Sequence, residues 1–213
     1  MSIELLGYRP SVYTWAARLT LREKGLAFAW TEVDPFQEVP PAALLALHPF
    51  GRVPVLRHDG FALYETAAIC AYVDEAFPGP ALQPAAAPAR ARMRQVIGIV
   101  DSYGYWPLVR QVFVHGVARP RLGLAGDAGI RRAGLARASQ VLDALERLAE
   151  DGACLSGTDW SLADFQLGPM IAYFAEDPDG AAELARRPRL AAWFAALSRR
   201  TAFRETRPPA EGG

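Results

Sequence analysis

Residues 47–73 read LHPFGRVPVLRHDGFALYETAAICAYV. Residues 53–57 have the β-branched and aliphatic character of a short strand. Asp59-Gly60 supplies a hairpin turn, and residues 61–64 form the returning strand. After Glu65-Thr66 the period changes: Ile69, Tyr72, Val73 and Ala76 fall on one face of a helix. Pro54 is the discordant residue, because proline removes a ladder donor and belongs at a strand's edge, bulge or first residue. A cis bond after Val53 is one way to seat it, although few X-Pro bonds are cis.

Upstream, residues 3–7 read as a strand and Pro10-Ser11 opens a helix that Gly25 closes, with Val12, Trp15, Ala16 and Leu19 as its apolar stripe. Residues 27–33 resume as a strand. Strand, helix, strand predicts a parallel pair joined by a right-handed crossover. A short helix over 41–47 then leads into the quoted stretch, so the order to residue 77 is βαβαββα.

Downstream, residues 78–88 hold Pro78, Pro80, Pro84 and Pro88 and almost no charge, which marks a linker. Beyond it only helical periodicity is found. Met93, Val96, Ile97 and Val100 form one stripe. Gly104 and Pro107 predict a bend or break in the next helix, and 116–127 reads as a loop. A long helix over 130–150 turns Leu135, Ala138, Val141, Leu142, Leu145 and Leu148 inward. Ser161 and Asp164 have the spacing of an N-cap and its N3 partner, which accounts for Asp164 better than a role as a buried catalytic acid. A last helix follows Pro188, with Leu190, Trp193, Phe194 and Leu197 on one side, and 207–213 is a frayed end. The domains expected are therefore 1–77, a linker 78–88, and an all-helical 89–213.

Composition narrows the function. The 213 residues are 51% hydrophobic and 22% charged, and 23 Lys+Arg balance 23 Asp+Glu. That balance offers no positive excess for a nucleic-acid partner. Cys70 and Cys154 lie far apart, so neither a disulfide framework nor a redox CxxC is expected. No basic leader precedes an apolar run, and no apolar stretch of about 18 residues suggests a membrane span. A reducing cytoplasm is the default location. His48, His58 and His115 make no metal-ligand spacing, so no metal is expected. Dinucleotide loops and nucleophile elbows are absent from the sequence.

Three segments together resemble the cytosolic glutathione transferase superfamily: SVYTWAARLTLREKGL from residue 11, HPFGRVPVL…LYET from residue 48, and GTDWSLADF from residue 157. The resemblance covers nearly the whole chain. It implies a thioredoxin-like α/β domain that holds glutathione, followed by an all-α domain that supplies the second-substrate pocket. It implies that Pro54 is a cis-proline, that the Val53 backbone pairs with the cysteinyl backbone of glutathione, and that Glu65 and Thr66 bind its γ-glutamyl end. The other reading of Glu65 and Thr66 is a capping pair for their own helix. His48 or Arg52 would reach the glycyl carboxylate, with a solvated surface role as the alternative for His48.

Family members activate the thiol with a Ser, Tyr or Cys near the first helix. Ser11 aligns best, followed by Tyr8 and then Tyr13, although Ser11 is also an ordinary N-cap. Thr14 stands where redox relatives carry a second cysteine, which disfavours chemistry through a protein thiol. The second-substrate pocket would draw on Tyr8, Tyr103, Tyr105, Trp106, Arg110 and His115. The activity implied is a bacterial-type transferase, acting as a homodimer on hydrophobic electrophiles. The rivals are a non-catalytic binding or structural protein of this fold and a glutathione-dependent isomerase or dehalogenase.

Overall fold

The computed structural model describes residues 2–37, 41–149, 155 and 159–209. Cys154, Gly157, Thr158, Glu150 and residues 210–213 lie outside the described residues. The elements are β1 (Ile3–Gly7), α1 (Val12–Glu23), β2 (Ala29–Glu32), α2 (Ala42–Leu47), β3 (Val55–His58), β4 (Phe61–Tyr64) and α3 (Thr66–Ala76). Helices follow: α4 (Ala87–Ile99), two π-helical segments (Val100–Gly104 and Trp106–Ala118), α5 (Arg119–Arg121), α6 (Ala128–Leu148), α7 (Leu162–Phe174), α8 (Pro178–Ala185), α9 (Pro188–Ser198) and α10 (Thr201–Thr206). The chain divides into two compact units, Met1–Leu82 with Thr201–Pro208, and Gln83–Arg200. The first is α/β and thioredoxin-like and the second all-α, as the sequence predicts for the fold class.

In the first unit the sheet runs β2-β1-β3-β4, with β1 parallel to β2 and antiparallel to β3. Strand alternation fills two cores. Ile3, Leu5 and Leu56 pack with Ala17, Leu21, Ile69, Val73 and Phe77, whereas Leu6 and Val55 pack with Leu44. β3 starts at Val55 rather than at residue 53, because Pro54 has no N–H for the ladder. Gly25 ends α1 as expected, at φ +70. Lys24, beside it, is buried. Its ammonium donates to Asp74 Oδ1 (3.1 Å), Asp74 O (3.2 Å) and Pro80 O (2.9 Å), so all three of its donors have acceptors. Asp74 Oδ1 also accepts from Leu82 N–H at 2.8 Å. This pair fastens the start of the proline-rich stretch to the ends of α1 and α3. The last helix belongs to this unit: Trp15 Nε1 donates to Thr206 Oγ1 at 3.0 Å, and the Trp15 and Phe203 rings lie 4.8 Å apart.

The second unit departs from expectation at Gly104 and Pro107. No break occurs there. The chain winds in wider turns, with Tyr105 N–H donating to Val100 O and Arg119 N–H to Val114 O, each five residues back. The helical path then continues to Arg121, through the first half of the stretch expected to be a loop. Asp127 caps α6 through Ile130 N–H at 2.8 Å. Two further helices, α8 and α10, are not anticipated by the periodicity.

Every residue of α7 is buried. Asp164 anchors its start: Oδ2 accepts from Ser161 N–H (2.7 Å) and the Ser161 hydroxyl (2.8 Å). Oδ1 accepts from Leu155 N–H (2.8 Å) and Trp193 Nε1 (2.8 Å). Burial pushes this carboxyl above its ordinary range, and the four donors pull it down. In Asp164→Asn the amide NH2 must face one of the two donor pairs. The expected loss is about 2 kcal/mol or more, read as a fall in melting temperature of about 4–8 °C for a chain this size. A thermal unfolding curve unchanged from the wild type would remove the carboxylate as the anchor.

Candidate functional site

The register of three strands places the candidate residues together. Leu6 lies opposite Val55, and Val55 lies opposite Tyr64. The carboxyl end of β1, the amino end of β3 and the carboxyl end of β4 therefore share one end of the sheet. Tyr8 to Ser11, Arg52 to Pro54, and Glu65 to Thr66 all leave the sheet there. The amino termini of α1 and α3 begin at the same end, and both carry partial positive charge.

After β1 the chain turns tightly, with Ser11 N–H donating to Tyr8 O at 2.9 Å. The turn needs Gly7: a Cβ there would stand 2.3 Å from Thr14 Cγ2 and 3.0 Å from the Trp30 ring. Ser11 is the N-cap of α1, and its Oγ accepts from Thr14 N–H at 3.3 Å. Capping uses a lone pair of that oxygen. Among the described residues no acceptor takes the hydroxyl hydrogen, so the cap and a donor role are compatible. Tyr8 is half-buried, its ring edge-on to Phe36 at 5.8 Å, and its N–H points to Thr14 Oγ1 at 3.4 Å. Tyr13 is half-buried on α1.

Before β3, His48 corrects an expectation. A solvated surface role does not fit, because the residue is only 3% exposed. Its ring stacks on Tyr64 with centroids 4.4 Å apart and meets the edge of Phe50 at 5.9 Å. Nδ1 accepts from Phe50 N–H at 3.3 Å, and the backbone oxygen accepts from Gly51 N–H at 2.9 Å. Burial lowers the proton affinity of the imidazole; the Glu65 charge raises it and Arg52 lowers it. Arg52 is exposed, Pro54 is buried, and Val53–Pro54 is a cis peptide. Val53 precedes the β3 ladder, which starts at Val55.

After β4, Glu65 has φ 70 and ψ 114, a conformation that L side chains rarely adopt. Such strain costs about 1–3 kcal/mol and gathers at ligand-binding positions. Glu65 occupies the N-cap position of α3, yet its side chain makes no capping hydrogen bond to that helix. The alternative of a mutual capping pair is therefore not taken. Thr66, the first residue of α3, is buried, and Glu65 is exposed. Helix N–H groups beside a carboxylate suit both charges of an α-amino acid end. Tyr64, the platform under His48, is not among the residues singled out from sequence. Its signal is its place just before Glu65-Thr66.

In the second unit Tyr103 and Trp106 are 66% and 58% exposed, whereas Gly104, Pro107 and Leu108 are buried. Tyr105 and Arg110 are half-buried. His115 Nδ1 accepts from Asp127 N–H at 3.0 Å, which fixes the approach to α6. No group of three or more metal-ligating side chains occurs among the described residues, and no helix there is long and apolar enough to cross a membrane.

Residues 5–81 match the glutathione S-transferase N-terminal domain family, and residues 127–196 match the C-terminal domain family. The chain is 30% identical to glutathione S-transferase F10 of Arabidopsis thaliana over 193 residues, 89% of each chain. It is also 30% identical to glutathione S-transferase 3 of Zea mays, covering 87% of this chain and 84% of that one. Among solved structures, glutathione transferase F7 from Populus trichocarpa superposes with a TM-score of 0.84 at 28% identity, over 99% of this chain and 98% of that one. A thioredoxin-like unit followed by an all-α unit, matched by relatives along nearly its whole length, shows that the chain belongs to the glutathione S-transferase family and is a glutathione transferase.

Proposed function

We propose that the end of the sheet formed by β1, β3 and β4 binds glutathione, with Val53–Pro54 and Glu65-Thr66 as the two sides of a clamp and Ser11 as the thiol activator. The observation that carries this reading is the pairing of Val55 with Tyr64, which sets those two sides next to each other. The ligand's cysteinyl main chain pairs with the Val53 backbone in the manner of an added strand. Its γ-glutamyl carboxylate takes the open N–H groups at the start of α3 with Thr66, and its ammonium takes Glu65. Arg52, exposed at the rim, serves the glycyl carboxylate.

Ser11 donates its hydroxyl hydrogen to the sulfur while its lone pair keeps the cap. Lowering a thiol pKa of about 8.5 by two units needs about 3 kcal/mol of differential stabilisation. A charge-assisted hydroxyl bond and the α1 terminus together supply energy of that order. The thiolate, once held, adds to or displaces from a hydrophobic electrophile, and proximity supplies the remaining acceleration. Tyr8 and Tyr13 are the next hydroxyls in order. We assign residues 78–88 as the linker and the helical unit that ends at Arg200 as the source of the second-substrate pocket, with exposed Tyr103 and Trp106 as apolar walls. The homodimeric state and the cytoplasmic location are inferred from family membership.

Two outcomes test this assignment. Ser11→Ala should raise the pKa of the bound thiol, read from thiolate absorbance, by about one to two units. It should lower the conjugation rate near neutral pH by about tenfold or more, at a stability cost of about 1 kcal/mol. An unchanged thiol pKa and rate would transfer the role to Tyr8. Glu65→Gly should relieve the positive φ, leaving stability equal to the wild type or up to about 1 kcal/mol higher, while glutathione binding falls by about tenfold or more. Full glutathione affinity in Glu65→Gly, measured by calorimetry, would take Glu65 out of the clamp.

A further inference from the structure

We propose that His48 is the positioning residue that joins the two sides of the glutathione clamp, and that it does so as a neutral imidazole with Nδ1 unprotonated. This rests on the glutathione reading above. His48 closes α2 through its own N–H, donated to Leu44 O at 2.8 Å. From there it sets the turn that delivers Arg52, Val53 and Pro54: its Nδ1 holds Phe50 N–H and its carbonyl holds Gly51 N–H. The ring face lies on Tyr64, the residue that precedes strained Glu65. A single buried side chain thus touches the loop before β3 and the end of β4, the two segments from which the proposed clamp is built.

The Phe50 bond reads the protonation state. A side-chain acceptor two residues before an N–H reproduces the geometry of an Asx turn, with Nδ1 in place of an Asn oxygen. Protonating Nδ1 replaces an acceptor with a donor and sets two N–H groups against each other. Burial in the Tyr64–Phe50 slot favours the neutral form. The charged groups acting on the ring are Glu65 and Arg52, of opposite sign, and the titratable group stacked on it is Tyr64. Between about pH 5 and pH 8 an imidazole is the side chain whose charge ordinarily changes.

The test uses S-methylglutathione, whose capped thiol does not titrate, with the wild type, His48→Asn and His48→Phe, in calorimetry from about pH 8 to about pH 5. The wild-type dissociation constant should be flat at the alkaline end and rise about five- to tenfold on acidification below the ordinary histidine range. His48→Asn keeps an acceptor for Phe50 N–H; its affinity at pH 8 should stay within about threefold of the wild type and its acid limb should vanish. His48→Phe keeps the stack without the acceptor and should bind about five- to tenfold more weakly at every pH. An acid limb that persists in His48→Asn, or wild-type affinity in His48→Phe, overturns the proposal.

The Phe50 amide shift, followed by NMR in the ligand-free protein, supplies a separate readout. It should titrate in the wild type and stay constant in His48→Asn. A wild type that binds no S-methylglutathione at any pH overturns the glutathione reading, and the amide titration then decides the role of the imidazole by itself.

Discussion

The pairing of β1 with β3 and of β3 with β4 is the constraint on which the first unit depends. Side chains on a strand alternate between faces, so a slip of one residue would exchange its two sets of core residues. Leu5 and Leu56 would leave the core made with α1 and α3, and Leu6 and Val55 would leave the one made with Leu44. Both faces are buried, which makes any such slip costly. A slip would also move Pro54 past Glu65 by about 3.3 Å, the rise of one residue. The same hydrophobic contacts that hold the sheet therefore set the spacing of Pro54 and Glu65.

Polar anchors buried in each unit act in a different way. Lys24 with Asp74, and Asp164 with its four donors, are satisfied groups whose removal leaves partners stranded. Each sits where a helix begins or ends: Lys24 after α1, Asp164 in the first turn of α7. The end of the sheet where Ser11, Pro54 and Glu65 lie has the opposite character. Glu65 is exposed and strained, the start of α3 lacks a side-chain cap, and Ser11 keeps an undonated hydrogen. The two anchors have their polar groups fully used, whereas this end of the sheet leaves groups that a ligand would complete.

Much of this was readable in the sequence. Asp59-Gly60 announces the hairpin, Gly25 the end of α1, and the Ser161–Asp164 spacing the start of α7, because each depends on residues a few positions apart. The cis-proline at Pro54 and the helix start at Thr66 were legible in the same stretch, the first through the family resemblance and the second through the change of period. His48 was not: its burial arises from Tyr64, which only the folded hairpin brings beneath it. The π-helical winding through Gly104 and Pro107 was hidden because both residues ordinarily signal interruption, and the wider turn that absorbs them has no periodic signature of its own. Helix α10 showed no reason to return to the first unit, since its partners Trp15 and Arg22 lie at the other end of the chain.

That return has a consequence for how the protein is made. Translation delivers the whole α/β sheet early, and amino-terminal domains usually fold as they emerge. Here the first unit is discontinuous, and Thr201–Pro208 is synthesised only after the whole helical unit. Until it leaves the ribosome, the Trp15 indole N–H lacks Thr206 and its ring lacks Phe203. The amino-terminal half can assemble its strands during synthesis, yet it finishes folding only after the helical half has been completed. A ribosome stalled anywhere before residue 201 would hold a nascent chain with an open seam over Trp15, the state in which a chaperone would meet it.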